Sequence, residues 1–191
     1  MLKSSVYPWN RLETASRWPE VDRTTATDST IARVERQRSE SHTDISQLPA
    51  CVRLDFEGLE RFEVVRDQFA RWGIRFDNAI AVCPSNPAYP IHSGDILLMG
   101  APQSGFLELK FSCPVQFVSG FVTSSRITAM SAYNDLGETI ARDELPSSNL
   151  ANSQSPTSAN YQLIVKAPNI HRVTFYAFDG ELAVDDISFG Y

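Results

Sequence analysis

The residues best placed for chemistry are two adjacent carboxylates near the end of the chain, Asp185 and Asp186 in GELAVDDISFG. Successive side chains of a β-strand point to opposite faces, so a regular strand turns one of the pair inward. Asp185 then shares a face with Ala183, Ile187 and Phe189, and Asp186 with Leu182 and Val184. A carboxylate turned toward an apolar face must be neutralised, paired or bound to a cation. Asp55 and Glu57 lie two apart and so share one face of the strand that begins at Cys51. First and last strands of a sandwich are commonly neighbours, which brings three or four oxygen-rich side chains together. Oxygen-only ligation suits a hard cation such as Ca²⁺, which takes about 6 to 8 oxygens and accepts backbone carbonyls among them. The same carboxylates could equally form a solvated acidic edge or pair with Arg53, Arg75 or Arg172, and the pattern leaves these alternatives open.

A sugar site needs aromatic platforms with polar neighbours, because sugar C–H faces pack on rings while hydroxyls require hydrogen bonds. Trp72, Tyr89, Tyr133, Tyr161, Tyr176 and Phe178 are the candidates. Tyr89, in the proline-stiffened loop CPSNPAYPIHSG, and Tyr133, at the shoulder of a hairpin, are the choices, whereas Trp72 at a strand start is assigned to the core. Catalysis has little support. The three histidines, His42, His92 and His171, fall in no hydrolase or metalloprotease pattern. Asp185 and Asp186 on a regular strand diverge, whereas a glycosidase acid and base must converge. The chain is therefore expected not to be an enzyme.

From Cys51 onward the apolar residues recur with period two, the spacing that lines one face of a sheet. Val52, Leu54 and Phe56 alternate with Arg53, Asp55 and Glu57, and Leu107, Leu109 and Phe111 alternate with Glu108, Lys110 and Ser112. Further runs are GIRFDNAIAV, DILLMG, VQFVSGFVT, ITAMSAY, YQLIVKA, HRVTFYAF and ELAVDDISF, mostly bounded by turn residues. Asn134-Asp135-Leu136-Gly137 reads as a hairpin, and the polar stretch 145–160 as a long mobile loop. Some nine short strands predict an all-β, two-sheet antiparallel sandwich over 51–191.

Residues 1–50 differ in kind, being rich in Ser, Thr and Arg with few periodic apolar positions. They read as an extended, mostly irregular N-terminal arm with a short, marginal helix over DSTIARVERQRSE. Tyr7, Trp9 and Trp18 beside prolines are unusual in a solvating tail, and mark an arm that docks on its own domain or on a neighbouring copy. Basic and acidic residues balance within the arm, so the net charge of −6 lies on the remainder. That balance disfavours nucleic acid and anionic membranes as partners. No apolar run is long enough to span a bilayer, and no signal peptide is visible. Cys51, Cys83 and Cys113 fit no zinc motif, and read as buried free thiols or, in an oxidising compartment, a single Cys51–Cys83 or Cys83–Cys113 bridge.

CVRLDFEGL, GIRFDNAI, SGDILLMG and GELAVDDISFGY together resemble the galactose-binding-like jelly rolls, a superfamily that includes carbohydrate-binding modules and the MAM adhesion domains. The resemblance spans 51–191 and implies a jelly-roll fold with a structural Ca²⁺ ion. By motif position Glu57, Asp185 and the segment around Ser93, Gly94 and Asp95 would hold it, with Asp55 as a further ligand. It also implies a recognition module for a glycan or other extracellular polymer, in an extracellular or cell-surface location. The other reading is a structural or adhesion subunit whose arm, with Trp9 and Trp18, docks on a neighbouring chain as in a homo-oligomer.

Overall fold

A computed structural model describes residues 29–34 and 50–191. Among the described residues there are eleven strands: β1 (Ser29–Ala32), β2 (Cys51–Leu54), β3 (Val64–Val65), β4 (Ile74–Asp77), β5 (Ala79–Val82), β6 (Leu97–Gly100), β7 (Phe106–Ser124), β8 (Thr128–Tyr133), β9 (Thr139–Leu145), β10 (Tyr161–Ala177) and β11 (Leu182–Gly190). Two long strands organise the rest. The first half of β7 pairs with the second half of β10, and its second half with the first half of β10. The register slips between Lys166, Ile170 and Arg172. Pro114 and Pro168 sit at this bend, where their missing N–H groups cost no ladder bond.

On one side of the bend lies a five-stranded antiparallel sheet in the order β4-β7-β10-β8-β9. On the other, β10, β7 and β11 continue into β6, β5 and β3, with β2 also on β11. The inner faces pack together through Phe111 against Phe189, whose ring centroids are 5.2 Å apart, and through Phe175 over Gly120. Leu107, Leu109, Met130, Val173 and Val184 are fully buried between them. The result is a two-sheet jelly-roll sandwich, as the period-two pattern implies. Runs that read as separate strands on either side of Pro114 and Pro168 are single bent strands.

Two local expectations are revised. Within the segment read as a marginal helix, Ser29–Ala32 is β1, which pairs in parallel with β2 from Ser29↔Cys51 to Ala32↔Leu54. Ala32 is fully buried, the Asp55 N–H donates to Ala32 O, Trp72 Nε1 donates to Arg33 O, and Arg33 pairs with Asp55 at 3.2 Å. Two apolar positions could not hold a helix, whereas a waiting strand edge satisfies the backbone directly. The sandwich therefore includes residues 29–34, upstream of the boundary drawn at 51. The stretch 145–160 is tied down by Asn149, which is fully buried, accepts the Ser124 N–H and donates to Val122 O and Ser158 O.

A chain beginning at Cys51 should accordingly melt ~5 °C below one beginning at Asp28, for the ~2 kcal/mol of apolar burial lost with Ala32 and Val34. Equal melting curves would show that β1 contributes nothing to the fold. Tyr7, Trp9 and Trp18 lie outside the described residues. The three cysteines are free and half-buried.

Candidate functional site

The carboxylate pair sits in a fork. One edge of β11 follows β7, while the other is shared by β6 at Ala183–Val184 and β2 at Ser188–Phe189. Between those partners the register slips, and Asp186 takes φ +47°. The slip overturns the strict alternation expected of Asp185 and Asp186: both carboxylates are buried, and both meet the segment 92–93.

Asp185 Oδ2 accepts the N–H groups of His92 (2.9 Å) and Ser93 (3.2 Å), and its Oδ1 accepts the N–H of Asp186 (2.7 Å). Burial pushes the Asp185 carboxyl above its ordinary pKa, against the pull of those N–H groups. Asp186 takes Arg53 at 2.6 Å, the Ser93 hydroxyl at 2.9 Å and His92 Nδ1 at 2.5 Å. Burial works against its charge too, but these partners prevail and hold it below the usual carboxylate range. The His92 ring stacks on Phe121 with centroids 3.6 Å apart. Arg172, the alternative partner of Asp185, instead pairs with Glu108 at 2.9 Å.

Asp55 and Glu57 lie beyond the end of β2 and do not project side by side from a strand. Asp55 accepts the Glu57 N–H and pairs with Arg33, while Glu57 Oε1 accepts the N–H groups of Asp95 and Ile96. Gly94 fits under Glu57 because any Cβ there would overlap that carboxylate. The Asp95 side chain is exposed.

Asp55, Glu57, Ser93, Gly94, Asp185 and Asp186 thus line one cavity of about 220 Å³, together with Arg53 and Ile31. Among the described residues no three His, Cys, Asp or Glu side chains gather as a metal cluster, so backbone carbonyls would have to complete any shell. Each carboxylate oxygen offers two acceptor sites. Asp185 Oδ2 is filled by its two N–H donors, whereas Asp185 Oδ1 retains capacity. Glu57, Asp185 and Asp55 are the lining carboxylates that a cation in this cavity would meet.

A second surface, the outer face of the five-stranded sheet, carries a different chemistry. The register sets Arg75, Lys110, Arg172 and Tyr133 in one row, Asp77, Glu108, Thr174, Ser131 and Arg142 in the next, and Phe106, Tyr176, Ala129 and Glu144 in a third. Glu108 is nearly buried between Lys110 at 2.7 Å and Arg172 at 2.9 Å. The Arg172 guanidinium lies over the Tyr133 ring, 3.9 Å from its centroid. At the far end Phe106, Tyr176 and Phe178 meet edge to face, with centroids 6.4 and 6.2 Å apart. Tyr176 is 40% exposed, and Phe178, at 73%, stands in solvent.

Of the two tyrosines chosen from the sequence, Tyr133 is on this face and Tyr89 is not. Tyr89 is 5% exposed, with its ring packed against Leu97 and Ala183, so it offers no ring face to a sugar. Proline stiffening of its loop was a misleading signal, because it buries the ring instead of presenting it. Charged Glu108 and Arg172 were missed as site residues. The alternation that set them outward was legible, but their ion pairing across strands was not.

Fold and surfaces define a jelly-roll sandwich with an aromatic-rimmed, charged outer sheet face and a carboxylate-lined fork. No protein-family model matches the chain, and no curated protein matches it. Among solved structures it is similar, over 61% of its length, to 80% of a family 29 carbohydrate-binding module complexed with mannohexaose, at 13% identity and a TM-score of 0.38. A family 29 module complexed with cellulohexaose is similar at 13% identity and a TM-score of 0.37, over 61% of this chain and 80% of that one. A peptidoglycan O-acetylesterase is similar over 62% of this chain but 30% of its own, at 15% identity and a TM-score of 0.35.

Proposed function

We propose that the chain is a non-catalytic recognition module that binds a glycan on the outer face of the five-stranded sheet. The observation that carries this reading is the aromatic trio of half-buried Phe106 with exposed Tyr176 and Phe178, at the end of the face that carries Tyr133 and the Glu108–Arg172 pair. Exposed rings supply apolar platforms, and charged groups already held in place supply hydrogen bonds to hydroxyls at little entropic cost. Tyr133 pairs with Arg172 and Ala129 with Tyr176, four residues along β10 or about 13 Å, which is longer than one sugar ring. An oligosaccharide chain fits that span. The buried pair Asp185 and Asp186 is engaged by N–H groups and Arg53, which supports a structural role over an acid–base one. Among the described residues no helix is long and apolar enough to cross a membrane. Titration with cellohexaose and mannohexaose tests the reading, and a broad glycan array without any binder would overturn it.

A structural Ca²⁺ ion at the fork belongs to the same proposal, supported by the four carboxylates that line one cavity. Bound to the native state, it would add ~2.7 kcal/mol at 100 times its dissociation constant. EDTA should then lower the melting temperature by several degrees and added Ca²⁺ should restore it. An unchanged melt, with no Ca²⁺ in native mass spectra, would leave the fork closed by hydrogen bonds alone.

The assembly reading, a homo-oligomer joined by the arm, places Tyr7, Trp9 and Trp18 upstream of β1. The pairing of β1 with β2 of its own chain ties residues 29–32 to the protomer's own sheet.

A further inference from the structure

Beside Phe178, at one end of the sandwich, three turns enclose an open cleft of about 500 Å³ lined by Ser104, Ser125, Arg126, Asp179, Gly180 and Glu181. We infer that this cleft is a subsite for the hydroxyls of a neutral sugar, in which Glu181, aimed by the buried Tyr89, accepts and Arg126 donates. The inference rests on the glycan reading and specifies which sugars it admits.

Glu181 is held at several points. Tyr89 OH donates to Glu181 Oε2 at 3.3 Å, the Glu181 N–H donates to Ser125 Oγ at 2.9 Å, and Glu181 O accepts the Ser125 N–H at 3.0 Å and the Ser124 hydroxyl at 3.1 Å. Burial pushes the Tyr89 phenol above its ordinary pKa, and the charge of Glu181 adds to that, so the phenol keeps the proton it donates. The tyrosine is thus a positioning residue: its ring is core and its hydroxyl holds Glu181, which lines the cleft.

Arg126 is fixed from below. A Cβ on Gly180 would lie 2.6 Å from Arg126 Cγ, so only glycine lets the arginine stem cross that turn. Arg126 and Asp179 line the same cleft, yet among the described residues the two form no ion pair with each other. Opposite charges kept apart across a cleft suit a ligand that both donates and accepts, as a sugar diol does. Two carboxylates against one guanidinium repel a uronate, and the net charge of −6 adds to that exclusion.

The test uses the full chain and titration calorimetry with cellohexaose, mannohexaose and oligogalacturonate. For the neutral hexasaccharide that binds, Tyr89→Phe and Arg126→Ala should each weaken affinity about fivefold to tenfold without changing the melting temperature. Glu181→Gln should also weaken it while reducing the discrimination against oligogalacturonate. Should Tyr89→Phe destabilise the fold, Glu181→Gln and Arg126→Ala, both on exposed residues, carry the test alone. Variants that bind the whole panel as the parent does, while Tyr176→Ala loses binding, would overturn the cleft and leave the sheet face standing. A parent chain that binds none of the panel would overturn both.

Discussion

Asp185→Ala should lower the stability of the sandwich by about 3 kcal/mol, because three N–H donors lose the buried carboxylate that accepts them all at once. Those donors are the backbone groups of His92, Ser93 and Asp186, and the carboxylate that receives them is 3% exposed. The neighbouring acceptor, Asp186, is not free to replace it, since its carboxylate is already engaged by Arg53, the Ser93 hydroxyl and His92 Nδ1. Asp185→Asn retains one acceptor oxygen and most of the volume. It should cost roughly half as much, in chemical denaturation followed at 25 °C. Asp186→Ala should fall near the lower figure, because its partners Arg53 and His92 are partly exposed and can turn to water. If Asp185→Ala were as stable as the parent, segment 92–93 would not be held by this carboxylate.

Tyr176→Ala should weaken glycan binding about thirtyfold, or ~2 kcal/mol, the loss typical of an aromatic anchor in an interface. Tyr176 contacts Phe106 and Phe178 edge to face, so its removal leaves the other two rings without their common neighbour. It is 40% exposed, and the inner-face residues around it, Phe175 and Ala177, are untouched by the change. The melting temperature should therefore hold while affinity falls. Arg172→Ala should also weaken binding, by removing a guanidinium donor held on this face and leaving Glu108 with Lys110 alone. A parallel fall in melting temperature and affinity for Tyr176→Ala would assign the ring to the fold and not to the ligand.

What the sequence made legible follows from how local each signal is. Period two placed Leu107, Leu109, Val173 and Phe175 inside and Glu108, Thr174 and Tyr176 outside, because side-chain direction on a strand depends only on parity. The same rule failed at Asp185 and Asp186, where a register slip between β11 and β7 brings adjacent side chains to one segment. A slip is a property of two strands together, so neither sequence alone announces it. Glu57 accepts the N–H groups of Asp95 and Ile96, direct hydrogen bonds that its motif position does not specify. The role of Tyr89 was hidden for a similar reason, since its hydroxyl partner Glu181 lies 92 residues away. The strand β1 was missed because four residues with two apolar positions carry little pattern, and only the open edge of β2 makes them a strand.

The most direct test of the central claim is a backbone-amide NMR titration of the full chain with the neutral hexasaccharide that binds most tightly. The account predicts saturable shifts confined to the outer face of the five-stranded sheet, at Ser131, Tyr133, Arg172, Thr174 and Tyr176, and to the cleft at its end, at Arg126 and Glu181, fading across the inner-face positions between them. Shifts gathered at the fork around Ser93 and Asp185, or a spectrum unchanged by every glycan tried, would contradict it.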